Sequence, residues 1–271
     1  MKITPTSLTI NQLFGATNEQ YVIPTYQRRY TWNEKQVYEL IEDIGLIEEA
    51  DTHLLGSIVC LAGHHQAGVN QLELVDGQQR LTTIVILLEC IRQYLEKNKR
   101  QQEAFEVTQL LSAKPPIGKA VTKVLLESID AEDFADLVSE TERKFNNGHL
   151  ERAFSIIRSE IDSVKLDEVI TFLYRLRNQA IVIRLDVSEA KDAFKLFETI
   201  NNRGLRLSPT DIIKNFLLGN AARLSSSQLD LARKAWTLLL LHLDGTNPDA
   251  FFRVCPGTSN GITEFSEHEA D

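Results

Sequence analysis

The stretch Leu72-Glu73-Leu74-Val75-Asp76-Gly77-Gln78-Gln79-Arg80-Leu81-Thr82-Thr83 reads as a strand that turns on a glycine into a helix. Leu72, Leu74 and Val75 form a short apolar run, and Asp76-Gly77 breaks it. Leu81, Ile84, Val85, Leu87 and Leu88 then recur at helical spacing. A strand that enters a helix this sharply leaves backbone N–H groups unbonded at the helix start, which suits an anion. Arg80 adds a fork of donors matched to phosphate oxygens, and Thr82 and Thr83 add hydroxyls. The stretch therefore reads as a phosphate cradle. It also suits an ordinary strand–turn–helix in which Asp76 caps the helix and Arg80 is solvated or ion-paired. Gln78, Gln79 and Arg80 together bring more hydrogen-bonding capacity than a cap requires, which favours a ligand.

Towards the N-terminus, Gln20 to Pro24 suggests a short strand, followed by the polar and aromatic segment Thr25-Tyr26-Gln27-Arg28-Arg29-Tyr30-Thr31-Trp32. Asn33 and Gln36 form a capping box for a helix to about Ala50, whose inward face is Val37, Leu40, Ile41, Ile44 and Ile47. His53 to Leu61 is strand-like and should pair with Leu72–Val75 across a glycine-bearing loop, 62–70. From Gln101 to Asn178 the chain is charged and helically periodic, with breaks at Pro115-Pro116 and Asn146-Asn147-Gly148. This reads as about four helices carrying no constellation that suggests chemistry. A strand returns at 180–187, then a helix through Phe194, Phe197 and Ile200 that exits at Asn201-Asn202-Arg203-Gly204. Ser208-Pro209 opens the next helix, with cap and N1 proline in order. Two helical segments follow, and the tail 256–271 reads as polar and disordered.

At 271 residues, 43% hydrophobic and 25% charged, the composition is that of a globular chain with a sizeable core. The net charge of −9 argues against a nucleic-acid binder over the whole surface and leaves room for a local basic patch. Cys60, Cys90 and Cys255 are widely spaced and odd in number, the pattern of a reduced cytoplasmic protein. No apolar run is long enough to cross a bilayer, so no membrane partner is expected. The histidines lack metal-ligand spacing, the adjacent His64-His65 pair included, and Glu189-Ala190-Lys191 only loosely imitates a nuclease pattern.

Three ordered segments carry a resemblance: Ile23-Pro24-x-Tyr26-Gln27-Arg28-x-Tyr30-x-Trp32; Asp76 to Thr83; and Phe197-Glu198-x-Ile200-Asn201-x-Arg203-Gly204-x-x-Leu207-Ser208-x-x-Asp211-Ile212-x-Lys214-Asn215. Together they resemble the N-terminal domain of GmrSD-type, modification-dependent restriction endonucleases, within the ParB/sulfiredoxin-like superfamily. The resemblance implies an α+β fold with a small mixed sheet. Its first half-core would be 1–100, a helical insertion 101–179, and the second half-core with C-terminal helices 180–255. It implies NTP as ligand, with Mg²⁺-dependent hydrolysis the further activity to test for. Modified DNA and a nuclease domain or subunit are the partners it suggests.

On that footing Gly77 allows close backbone approach, and the amides of Gln78 and Gln79 face the phosphates. Arg80 neutralises their charge, while Asp76 orients a water or Mg²⁺ or merely caps the helix. Gln27, Arg28 and Tyr30 either complete the pocket or form a surface loop, with Tyr26 and Trp32 as core anchors. Asn201, Asn202 and Arg203 close the other side or serve as a helix exit. Arg28, Arg29 and Lys214 are the weaker DNA-phosphate candidates. Two other readings stay open: a non-enzymatic DNA-binding adaptor, and a nuclease-less remnant or fragment of a larger endonuclease.

Overall fold

The computed structural model describes residues 3–66, 68–115, 118–138, 145–201 and 208–254. The chain divides into two compact units, residues 1–193 and 194–271.

The first unit opens with strand β1 (Ile3–Thr9), which runs directly into helix α1 (Ile10–Gly15). Thr9 and Gln12 make a capping box there, a start signal that Thr-Ile-Asn-Gln already carries in the sequence. Strand β2 (Glu19–Ile23), the loop 24–33 and helix α2 (Glu34–Gly45) follow. Asn33 and Gln36 close the expected capping box, and Val37, Leu40, Ile44 and Ile47 are buried while Ile41 is half-buried. Strand β3 (His53–Gln66) and strand β4 (Val69–Asp76) pair antiparallel. Their connection is much shorter than the expected loop 62–70, because β3 continues through a bulge between Ala62 and His65. A Cβ at Gly63 would lie 2.6 Å from the Gln71 carbonyl oxygen, so that glycine marks a close approach of two strands.

Helix α3 (Gln78–Lys97) is apolar almost all round and runs through the middle of the core. Helix α4 (Gln101–Leu110), strands β5 (Ser112–Ala113), β6 (Val121–Thr122) and β7 (Val124–Leu126), and helices α5 (Ala131–Val138), α6 (Gly148–Ser163) and α7 (Leu166–Asn178) come next. Strand β8 (Ala180–Val187) completes a six-stranded mixed sheet in the order β1-β8-β3-β4-β2-β7. The segment expected to be purely helical thus gives a strand to the sheet edge: Val124, Leu125 and Leu126 pair parallel with Tyr21, Val22 and Ile23. Three residues are too few to show a period-2 pattern, so this strand left no signal. Lys123, just before β7, is 1% exposed and donates to the carbonyls of Ala16 and Glu19 (3.0 Å to the latter), tying the edge down.

One face of the sheet (Tyr21, Ile58, Cys60, Leu74, Val182) packs with α1, α2, α3, α4, α6 and α7 into a single core. The protein is therefore α+β. Cys60 and Cys90 are buried free thiols, and Cys255 lies outside the described residues.

Helix α8 (Ala190–Asn201) crosses the unit boundary. The second unit continues with α9 (Pro209–Leu224), α10 (Ser226–His242) and α11 (Pro248–Val254). Ser208 caps α9, accepting from the Asp211 amide, and Pro209 is at the first helical position. Trp236 of α10 stacks on Phe252 of α11 at 5.6 Å and 6°. The tail expected to be disordered, 256–271, lies outside the described residues. No described helix is long and apolar enough to cross a membrane.

Candidate functional site

Strand β4 ends at Asp76, and Gly77 follows in the left-handed region at φ 90°. Two constraints demand glycine here. The backbone sign is one; the other is that a Cβ would fall 2.5 Å from Ile58 Cγ2 on β3. The turn therefore lies flat against the neighbouring strand, and α3 starts beside the sheet. No side chain caps this start. Asp76 Oδ1 accepts from the Gly77 amide (2.7 Å), one position before the helix.

Arg80 emerges from the first turn and lays its guanidinium on β3. Nη1 donates to the Ser57 carbonyl at 3.1 Å, and a Cβ at Gly56 would come within 2.8 Å of the guanidinium carbon. Gly56, at φ 121° beside a bulge in the β3–β8 pairing, is what admits the arginine. Burial lowers the Arg80 pKa from its ordinary value, and the nearby Asp76 charge opposes that shift. A half-buried cation at an uncapped helix start is a strong local positive potential.

The glutamines have a different task. Gln79 accepts at Oε1 from the Thr31 and Trp32 amides (2.7 and 3.2 Å) and donates from Nε2 to the Arg29 carbonyl (3.1 Å). Gln78 donates to the Arg28 carbonyl at 3.2 Å. Gln27 is 3% exposed and donates to the carbonyls of Leu74 and Val75 (3.0 and 2.9 Å). Thr83 shares a 2.8 Å hydrogen bond with Tyr30 and donates to the Gln79 carbonyl. Burial raises the Tyr30 pKa, with the Thr83 hydrogen bond opposing. Thr82 is buried as well. The side chains of Gln78, Gln79, Tyr30 and Thr83 thus clamp the 27–32 loop onto α3, and Gln27 ties it to β4. The first-turn amides of α3 and the Arg80 guanidinium lie outside this clamp.

A second clamp holds the loop from the other side. Asp130, 1% exposed, accepts from Arg29 Nε (2.8 Å), the Tyr30 amide (2.6 Å) and Asn147 Nδ2 (2.9 Å). Asn147 also donates to the Tyr30 carbonyl (3.0 Å) and caps α6 through Oδ1. Sequence reasoning missed Asp130 and Asn147. Asn147-Gly148 carries a cap-like signal, whereas nothing local separates Asp130 from any other loop acid.

The remaining candidates are dispersed. Arg28 is half-buried and donates to Thr31 Oγ1 at 2.9 Å. Arg29 is fixed by Asp130, which removes it as a ready phosphate contact. Lys214 is the third DNA-phosphate candidate. It is 2% exposed, beside Asp211 (3.2 Å) and 5.8 Å from the centre of the Phe197 ring, so a duplex cannot reach it without unfolding that corner. Asn215 is fully buried on the same turn and donates to the Asp211 carbonyl. Asn202 and Arg203 lie outside the described residues, as does the side chain of Asn201 at the end of α8. Glu189 and Lys191 pair with each other at 2.7 Å on the surface. Among the described residues, no group of three or more metal-ligating side chains comes together.

The fold and this turn belong to a described class. The family model for the N-terminal domain of GmrSD restriction endonuclease matches residues 10–218, which takes in the loop, the Gly77 turn and the start of α9. The chain belongs to that family, and its setting is DNA restriction and defence against phage. No curated protein matches it.

Proposed function

We propose that this chain is an NTP-binding, NTP-hydrolysing regulatory module of a modification-dependent restriction system, built on a ParB/sulfiredoxin-like core and working with a nuclease domain or subunit. The observation that carries the reading is the α3 start: an uncapped helix entered from a left-handed glycine, with Arg80 lying across the adjoining strand. The first-turn amides and Arg80 hold the phosphates, and Asp76 orients the attacking water. A Mg²⁺ ion would fit Asp76 together with the phosphates, since Mg²⁺ at such sites takes one or two carboxylates and the nucleotide's own oxygens. The adaptor reading, in which the loop grips DNA, retains Arg28 alone of its three cations, because Arg29 and Lys214 are tied into the fold.

Calorimetric titration with ATP, GTP, CTP and UTP, with and without Mg²⁺, tests the proposal. Saturable binding should weaken at least about tenfold in Arg80→Ala, the scale of removing one charge-assisted hydrogen bond. Folded protein that binds none of the four would refute it. Binding to DNA that falls steeply with salt and depends on Arg28 would favour the adaptor instead.

A further inference from the structure

Beside the clamped loop lies an open groove of about 390 Å³, lined by Trp32 and Asn33 at the end of the loop, Glu34 at the start of α2, and Gly148, His149 and Arg152 on α6. Its volume falls within the range of small-molecule clefts, roughly 300–1,000 Å³. Two helices start at this groove, yet it is not an anion seat. Asn33 Oδ1 accepts from the Lys35 amide, and Asn147 Oδ1 accepts from the amides of His149 and Leu150, so both starts are capped by a side chain. What the groove offers is a half-buried tryptophan, Trp32, beside polar side chains. His149 lines it, and Arg152 stands at the mouth with Nε on Glu34 (2.7 Å), presenting a guanidinium and a carboxylate together. A flat aromatic surface flanked by donors and an acceptor is the environment in which a nucleobase stacks and is read at its edge.

The groove is also mechanically joined to the α3 start. The Trp32 amide donates to Gln79 Oε1, and Gln79 lies in the first turn of α3. We propose that the groove holds the base of the nucleotide whose phosphates sit on that turn, with Trp32 as stacking platform and His149, Arg152 and Glu34 facing the base edge. This rests on the nucleotide reading above and extends it from the phosphates to the base. The base end would then set which nucleotide is preferred, while the phosphate end treats all four alike.

Gly148 makes the groove testable without disturbing the fold. A Cβ there meets nothing within 4 Å, so Gly148→Leu adds bulk at the groove lining without a clash at its first atom. Titrations of the full chain with NTPs and with inorganic tripolyphosphate, wild type against Gly148→Leu, separate the two ends. Trp236→Phe leaves Trp32 as the sole tryptophan and lets stacking be read as fluorescence quenching. The expected result is that NTPs quench Trp32 and tripolyphosphate does not. Gly148→Leu should weaken NTP binding roughly tenfold, the scale of removing one stacking interaction, with tripolyphosphate affinity unchanged. Equal affinity for NTP and tripolyphosphate, unaltered by Gly148→Leu, overturns the base assignment and leaves the phosphate seat standing. Quenching by single-stranded oligonucleotides but not by mononucleotides overturns it in favour of nucleic acid. Binding of neither NTP nor tripolyphosphate removes the nucleotide reading itself.

Discussion

Three helices begin around the 24–33 loop, and they begin differently. Helices α2 and α6 are each capped by an asparagine, one reinforced by a glutamine in a capping box. Helix α3 has no side-chain cap, although two glutamines and an aspartate stand at its start, and those groups turn to the loop or to the preceding amide. An uncapped start costs a folded protein about 0.5–2 kcal/mol relative to a capped one. Of the three, the uncapped start is also the one that carries a half-buried arginine. On the nucleotide-binding proposal, that pairing separates a helix end built for stability from one left open for a ligand.

The largest effect should come from destroying the turn that defines the open start. Gly77→Ala forces a Cβ into Ile58 at a left-handed backbone position. It should cost about 2–5 kcal/mol in chemical denaturation and remove nucleotide binding with it. Asp130→Ala comes next, because it removes the buried acceptor shared by Arg29 Nε, the Tyr30 amide and Asn147 Nδ2. Arg29 is partly exposed, which discounts the loss to about 2–4 kcal/mol, read from the same denaturation curves. Stability and binding should part company at these positions. In Asp130→Ala, binding should weaken only as far as the loop loosens, whereas Arg80→Ala should weaken binding at least about tenfold with a smaller loss of stability than Asp130→Ala.

How much of this was legible in the sequence depends on how local each signal is. The Asn33 box, the Ser208-Pro209 start, β8 and the Gly77 turn are written in consecutive residues, and each stands where the pattern puts it. The clamp is not local. Gln79 is 47 and 48 residues from the amides it holds, and Asp130 is 100 residues from Tyr30. From sequence the glutamines therefore look like ligand groups, when their partners are backbone atoms that only the fold brings near. The same holds for Gly56, which is inconspicuous in a strand until Arg80 is laid over it. Strand β7 is missed for its brevity, and Lys214 because a lysine's burial is decided by what packs over it.

A smaller effect is expected at Lys123, remote from all three starts. Burial lowers its pKa from 10.5 to about 8. The folded state thus binds this proton less tightly than the unfolded chain, so protonation penalises folding below about pH 8. The penalty fades as pH rises from about 8 towards 10.5. Wild type should accordingly gain about 1–3 kcal/mol on Lys123→Met across that window, since both proteins share every other titration. A difference that stays flat with pH would mean Lys123 is solvated. Smallest of all, Asn33→Ala should cost about 1 kcal/mol of stability and leave tripolyphosphate affinity unchanged, as a purely structural cap predicts.

The most direct test of the open start is to watch its amides. In ¹H–¹⁵N spectra recorded during titration with tripolyphosphate, the Gln78 and Gln79 backbone signals should shift in proportion to occupancy. Those of Lys35 and His149, in the first turns of the capped helices, should stay in place. Gln78 and Gln79 amides unmoved at saturation, with shifts at Lys35 or His149 instead, would contradict a ligand seat at the start of α3.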